Sequence, residues 1–226
     1  FLGPRINAIG RMGDSAVALD LLLERVPSRA AYFADVLNKA NDTRQKKEKQ
    51  TVEEAIALVG DVTDQYEFVI VGSQSMLGPF PNPEKVFTVS MEADIYPLNE
   101  PDLADKIDGA IGEGSQFHEA YGYYAQGVGP DTSILPKDWI KRVHRVQNSN
   151  TNNRVGFCLD VIDLFLSKVI AGREKDREFC MALLQYEYLT SDQALEMVSS
   201  MPINNEEQRR LRATIRRWAK FSERRT

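Results

Sequence analysis

Residues 68–98 read FVIVGSQSMLGPFPNPEKVFTVSMEADIYPL, and the rest of the chain is organised around them. The opening run of Phe68, Val69, Ile70 and Val71 is apolar without alternation, as in a strand covered on both faces. Gly72 and Ser73 then turn the chain. Further on, Glu92 and Asp94 stand two residues apart. Side chains at i and i+2 of a strand point to one face, so a strand through 92–96 aims both carboxylates at one spot. Paired hard oxygens of this kind suit a divalent metal ion.

The order of these signals (a strand ending in Gly-Ser, a short helix, an acid-x-acid strand) resembles the nucleotidyltransferase superfamily with its polymerase-beta-like fold. Gly72-Ser73 stands at the Gly-Gly or Gly-Ser position of that pattern. Residues 90–95 (SMEADI) match its Ser/Thr-x-Asp-x-Asp-apolar form, with Glu92 in place of the first Asp. Residues 163–168 (DLFLSK) and 171–176 (AGREKD) are similar to the helix pair of the bacterial branch that includes AbiEii-type toxins. The resemblance covers about 66–184. It departs from the family in two places: 79–83 (PFPNP) lengthens the path from Ser73 to Glu92, and a third strand carboxylate is not identifiable.

What the resemblance implies is a site. Glu92 and Asp94 would hold magnesium or manganese, and with Lys168 they form the catalytic set. Gly72 and Ser73 would bring backbone donors to the phosphates of a nucleoside triphosphate, and Arg173 and Lys175 would bind the same nucleotide. The competing reading of the three cations is pairing with Asp163, Glu174 or Asp176 at helical spacing on the surface. Lys168 stands apart because its helix is otherwise apolar, where an inward ammonium needs a reason.

Residues 1–48 carry a different resemblance. Residues 2–12 (LGPRINAIGRM), Asp14, 18–23 (ALDLLL), and Asn41, Asp42, Thr43, Arg44, Gln45 and Glu48 are similar to the RecJ family of single-strand-specific exonucleases, at the end of the DHH domain and its linker helix. Arg5, Asn7 and Arg11 are suited to touch a phosphate, but the Asp-His-His signature and the metal motifs of that family are absent from this chain. Gly3-Pro4 and Gly10 read as loop, Asp14 or Ser15 as a cap for a helix to about Arg25, and Pro27-Ser28 as the start of a second helix reaching Val59. The second helix loses its apolar stripe across 41–51 and regains it at Val52, Ala55, Ile56 and Val59, so residues 1–59 are expected to pack little against the rest and to be cut by a protease between Asn38 and Thr51.

The net charge of −5 is uneven, because Arg209, Arg210, Arg212, Arg216, Arg217, Lys220, Arg224 and Arg225 oppose only Glu223 from residue 209 onward. Such a helix binds nucleic acid electrostatically or complements an acidic body. Cys158 and Cys180 lie in apolar surroundings and read as buried thiols of a reducing compartment. No apolar run approaches the roughly 18 residues of a membrane span, so no membrane partner and a cytoplasmic address are expected. With Phe1 in first place, the chain reads as a piece of a longer one.

Elsewhere, Asn99 is expected to cap a helix through Leu103, Ile107 and Ile111. His118, Tyr121, Tyr123 and Tyr124 form either a base-stacking pocket or a core cluster. Residues 140–146 alternate as an edge strand, and Ser191 and Asn205 are expected to cap the last two helices. The whole reads as an α/β (α+β) fold: an N-terminal helical segment (1–59), a small mixed-sheet nucleotidyltransferase-like domain (60–160) and a C-terminal helical cap (161–226). The expected activity is transfer of a nucleotide to an unidentified acceptor, with an antitoxin-like protein partner implied by the resemblance. The alternatives are a degenerate nucleotide- or nucleic-acid-binding module and an inactive RecJ-like fragment.

Overall fold

The apolar run after residue 66 becomes β1 (Glu67–Val71), the middle strand of a five-stranded sheet in the computed structural model, which describes residues 16–88, 90 and 92–222. Beside it runs β2 (Glu92–Pro97), antiparallel, and on its other side β5 (Val155–Cys158), parallel. The sheet is completed by β3 (Tyr124–Gly127) parallel to β2 and β4 (His144–Val146) antiparallel to β5. The expected mixed sheet with helices at both ends is what the chain forms.

The register fixes what each face meets. Val71 lies opposite Asp94, Ile70 opposite Ile95 and Val69 opposite Tyr96. Residues opposite one another share a face. Glu92, Asp94 and Tyr96 therefore lie on the side of Val69 and Val71, which packs on α5 (Val161–Ala171), α6 (Glu174–Gln185), α7 (Ser191–Met197) and α8 (Asn205–Ser222) through Leu164, Phe165, Phe179, Leu183 and Ile215. The other side, with Phe68, Ile70 and Ile95, is covered by Val52, Ile56 and Val59 of α2 (Pro27–Thr63) and by Ile107 and Ile111 of α3 (Ala104–Ile111). Helices on both faces explain why residues 68–71 show no alternation.

The chain divides into two compact units at Thr51 and Val52. In the first, α1 (Ala16–Leu23) ends at Glu24, whose side chain accepts the N–H groups of Arg25 and Val26, both at 2.9 Å, before α2 begins. The second contains the sheet and starts inside α2, which runs to Thr63 and not to Val59. Gly3, Pro4, Arg5, Asn7, Gly10, Arg11, Asp14 and Ser15 lie outside the described residues.

Several local expectations change. Asn99 donates to the Glu67 carboxylate at 3.3 Å and caps nothing, because Pro101 starts a 3-10 turn before α3. Thr190, not Ser191, caps α7 in a reciprocal box with Gln193. Asn204, not Asn205, accepts the N–H groups of Glu206 and Glu207 at the start of α8. The alternating run 140–146 is strand only over β4, since Trp139–Lys141 forms a 3-10 turn. Tyr123 is buried edge-on against Phe117 with its hydroxyl donating to Glu54 at 2.7 Å, which makes the aromatic segment part of the packing. The side chain of Tyr121, on α4 (Gln116–Tyr121), lies outside the described residues.

Candidate functional site

Gly72 shows why the first turn of the site needs its residue type. Its φ of 65° is left-handed, and a Cβ there would stand 2.0 Å from Asp94 Oδ2. Only a glycine allows both the turn and the approach of the β2 carboxylate. Ser73 opens a 3-10 turn (Ser73–Leu77), and the Ser75 hydroxyl donates to the Gly72 carbonyl at 2.8 Å, holding the corner in shape. The expected short helix is thus a 3-10 turn.

Beyond that corner lies a cleft of about 350 Å³ whose walls include Gly72, Ser73, Glu92, Asp94, Lys168, Arg173 and Lys175. All seven residues singled out in the sequence come together there. Burial, with the neighbouring Glu92 carboxylate adding to it, pushes the Asp94 carboxyl up to about 6, while Lys168 and Lys175 draw it back. A divalent cation would relieve this crowding. Magnesium is held by one or two carboxylates together with waters and substrate phosphates, a demand that Glu92 and Asp94 meet. Among the described residues no group of three or more His, Cys, Asp and Glu side chains gathers for a metal ion.

The cations are set by the turn between α5 and α6. Asp160 caps α5 by accepting the Ile162 N–H at 2.9 Å, and Gly172 ends that helix in the left-handed region. Lys168 then points its ammonium at Asp176 Oδ1, 2.9 Å away, and lies 4.6 Å from the centre of the Phe179 ring. Arg173 Nε stands 3.0 Å from Asp176 Oδ2, but without the direction of a hydrogen bond, so Oδ2 keeps an acceptor position open. Lys175 is exposed at the cleft. Asp163 is not a partner of Lys168; it is fully buried and bound twice by Arg142, at 2.9 and 2.7 Å.

The pairing alternative holds in its partner and not in its place: Lys168 meets Asp176, but Asp176 is 1 % exposed and forms the floor of the cation cluster, so the pair is buried and not on the surface. The chain belongs to the DUF6036 family, nucleotidyltransferases of unknown function. That family's model matches residues 48–225, which takes in the whole sheet and every wall of the cleft. No curated protein and no solved structure matches the chain.

For a DUF6036 chain, the sequence reading left out two features of the cleft, the first being the burial of Asp176, which it named only as a surface partner of the cations. Asp176 stands three residues before Phe179 and seven before Leu183, on the buried stripe of α6, and that position could have marked it as an inward acid. The second is the use of the 79–83 loop. Phe80 packs edge-on against Tyr188 with ring centres 4.6 Å apart, Phe87 does the same against Phe179 at 5.1 Å, and Glu84 accepts the Tyr188 hydroxyl at 2.6 Å. The longer connection is thus fastened to the helical cap, and Val86 and Phe87 line the cleft. No sequence signal announces that contact.

Proposed function

We propose that the chain transfers a nucleotidyl group from a nucleoside triphosphate to an acceptor hydroxyl, with magnesium or manganese held by Glu92 and Asp94. The observation that carries this reading is the convergence of the Gly72-Ser73 corner, both β2 carboxylates and three cations on one cleft. In that cleft the backbone at Gly72 and Ser73 and the Ser73 hydroxyl bind phosphate oxygens. The metal, when bound, supplies charge neutralisation at the phosphates. Arg173 and Lys175 hold the outer phosphates, and Lys168, aimed by Asp176, offsets charge building on the leaving group. The acceptor oxygen bonds to the α-phosphorus, the bond from that phosphorus to the bridging oxygen breaks, and pyrophosphate leaves with the electron pair. The hydroxyl proton passes to water.

A second reading, a nucleotide-binding module without turnover, draws on the lack of a third carboxylate gathered with Glu92 and Asp94 among the described residues. An antitoxin-like protein partner belongs with the AbiEii-like branch and is part of the first reading. The RecJ-like segment adds no chemistry to either, since most of it precedes the family match. Incubation with a divalent metal and each nucleoside triphosphate labelled at the α-phosphate, with and without bulk RNA, separates the two. Label transferred by the wild type and not by Lys168→Met supports transfer; binding of label with no product under any condition supports the module.

A further inference from the structure

Helix α8 carries its charge in an order that a merely solvated helix does not need. Leu211, Ile215 and Trp218 face the core, and α8 packs against α6, the helix that bears the cleft residues Arg173 to Phe179 at its start. On the opposite side Ala213, Arg216, Arg217, Lys220 and Phe221 are exposed at helical spacing and line a shallow groove of about 420 Å³.

Three arginines of the helix are already committed. Arg210 pairs with Glu206, Arg209 donates to the Asn205 carbonyl at 3.2 Å, and Arg212 donates to the Leu195 carbonyl at 2.6 Å. Arg216, Arg217 and Lys220 hold no hydrogen bond or ion pair among the described residues, although the chain as a whole is acidic. Complementing the acidic body therefore does not account for them. They are three cations within about one helical turn, with an aromatic ring, Phe221, 44 % exposed beside them. Phosphates are neutralised by such a row, and an unstacked base finds a π face on such a ring.

We infer that this stripe of α8 docks a single-stranded nucleic acid, with Arg216, Arg217 and Lys220 on consecutive phosphates and a base against Phe221. An acidic protein surface would also use the cations, and its competition with RNA is an outcome of the test; the single strand is favoured because its phosphates repeat along the row while its bases offer a π face to the ring. That the docked strand is also the acceptor of the cleft rests on the nucleotidyl-transfer reading; the docking itself does not.

The test uses the full chain and a labelled RNA strand of about 12 nucleotides, followed by fluorescence anisotropy from about 50 to 200 mM salt. Compared are the wild type, the triple variant Arg216→Gln, Arg217→Gln and Lys220→Gln, the variant Phe221→Ala, and the cleft variant Asp94→Asn. The triple variant is expected to bind at least tenfold more weakly and to lose about 2 from the slope of log affinity against log salt, three contacts at roughly 0.7 each. Phe221→Ala is expected to weaken the single strand about tenfold and a duplex of equal length much less. Asp94→Asn binds RNA as the wild type does, so a failed cleft reading leaves this result standing. An unchanged melting temperature of the triple variant shows its fold intact. No RNA binding by the wild type at the lowest salt, an affinity and slope indifferent to the triple substitution, or competition by polyglutamate equal to that by RNA overturns the inference.

Discussion

Asp94 sits where burial and the Glu92 carboxylate both oppose its charge, and the pKa of about 6 that results has a consequence for stability. Between the unfolded value of 3.8 and about 6, the folded chain keeps a proton that the unfolded chain has lost. Stability therefore falls as pH rises through that window and levels off above it. The full difference amounts to at most about 3 kcal/mol. Asp94→Asn removes it while keeping the shape, so in metal-free buffer the variant is expected to be the more stable protein at neutral pH and to lose this decline between pH 4 and 6. Urea denaturation across that range reads both effects. Gly72→Ala acts at the same contact in the opposite sense: the added Cβ meets Asp94 Oδ2 in a left-handed turn, for an expected loss of about 1 to 3 kcal/mol in the same experiment. Lys168→Met leaves the Asp176 anion buried without its nearest partner and is expected to cost about 3 kcal/mol or more, most of it regained when Asp176→Asn is added. If the two substitutions are simply additive, the pair does not interact as the geometry says.

The elements show how far the sequence could be read. β1 and β2 were legible because a short continuous apolar run closed by a turn marks a strand covered on both faces and an i, i+2 acid pair marks one face of a strand, and both are local signals. Caps were legible in kind but misplaced by one residue at Thr190 and Asn204, since neighbouring side chains of the same polar type compete for the same free N–H groups. Asp176 was legible as a partner of the cations and, from its place on the apolar stripe of α6, as an inward acid, but the contact between Phe87 and Phe179 was not, because packing of a loop depends on partners far along the chain. The last turns of α2 were legible as an apolar stripe returning at Val52, Ile56 and Val59, which do enter the core, but the polar middle suggested a linker that packs little. Its place in the sheet domain yields a prediction for truncation. A chain starting at residue 48, where the family match begins, is expected to unfold cooperatively, whereas one starting at residue 60 loses the buried side chains of Val52, Ile56 and Val59 with those between them and unfolds at much lower urea, each loss of a large apolar group costing about 2 to 5 kcal/mol. Denaturation midpoints of the two fragments that coincide would contradict the assignment.

At the scale of the whole molecule, the sheet and its helical cap form one machine for bringing opposite charges to the edges of a cleft without letting them cancel. The carboxylates come from the sheet, the cations from the cap, and Asp176 holds Lys168 in reserve between them. The aromatic contacts of the 79–88 connection fix the distance between those two layers. On the proposed reading the ligand that completes this arrangement is a polyphosphate with a divalent cation, and binding of such a ligand would stabilise the fold by mass action. The most direct measurement is the melting temperature of the full chain without ligand, with magnesium, with a nucleoside triphosphate, and with both, for the wild type and for Asp94→Asn. At about 100 times the dissociation constant the gain is roughly 2.7 kcal/mol, a rise of about 5 to 10 °C for a chain of this size. The account predicts that rise for the wild type with both ligands present and its loss in Asp94→Asn; a wild type that melts at the same temperature in all four conditions, or a variant that shifts as much as the wild type, would contradict it.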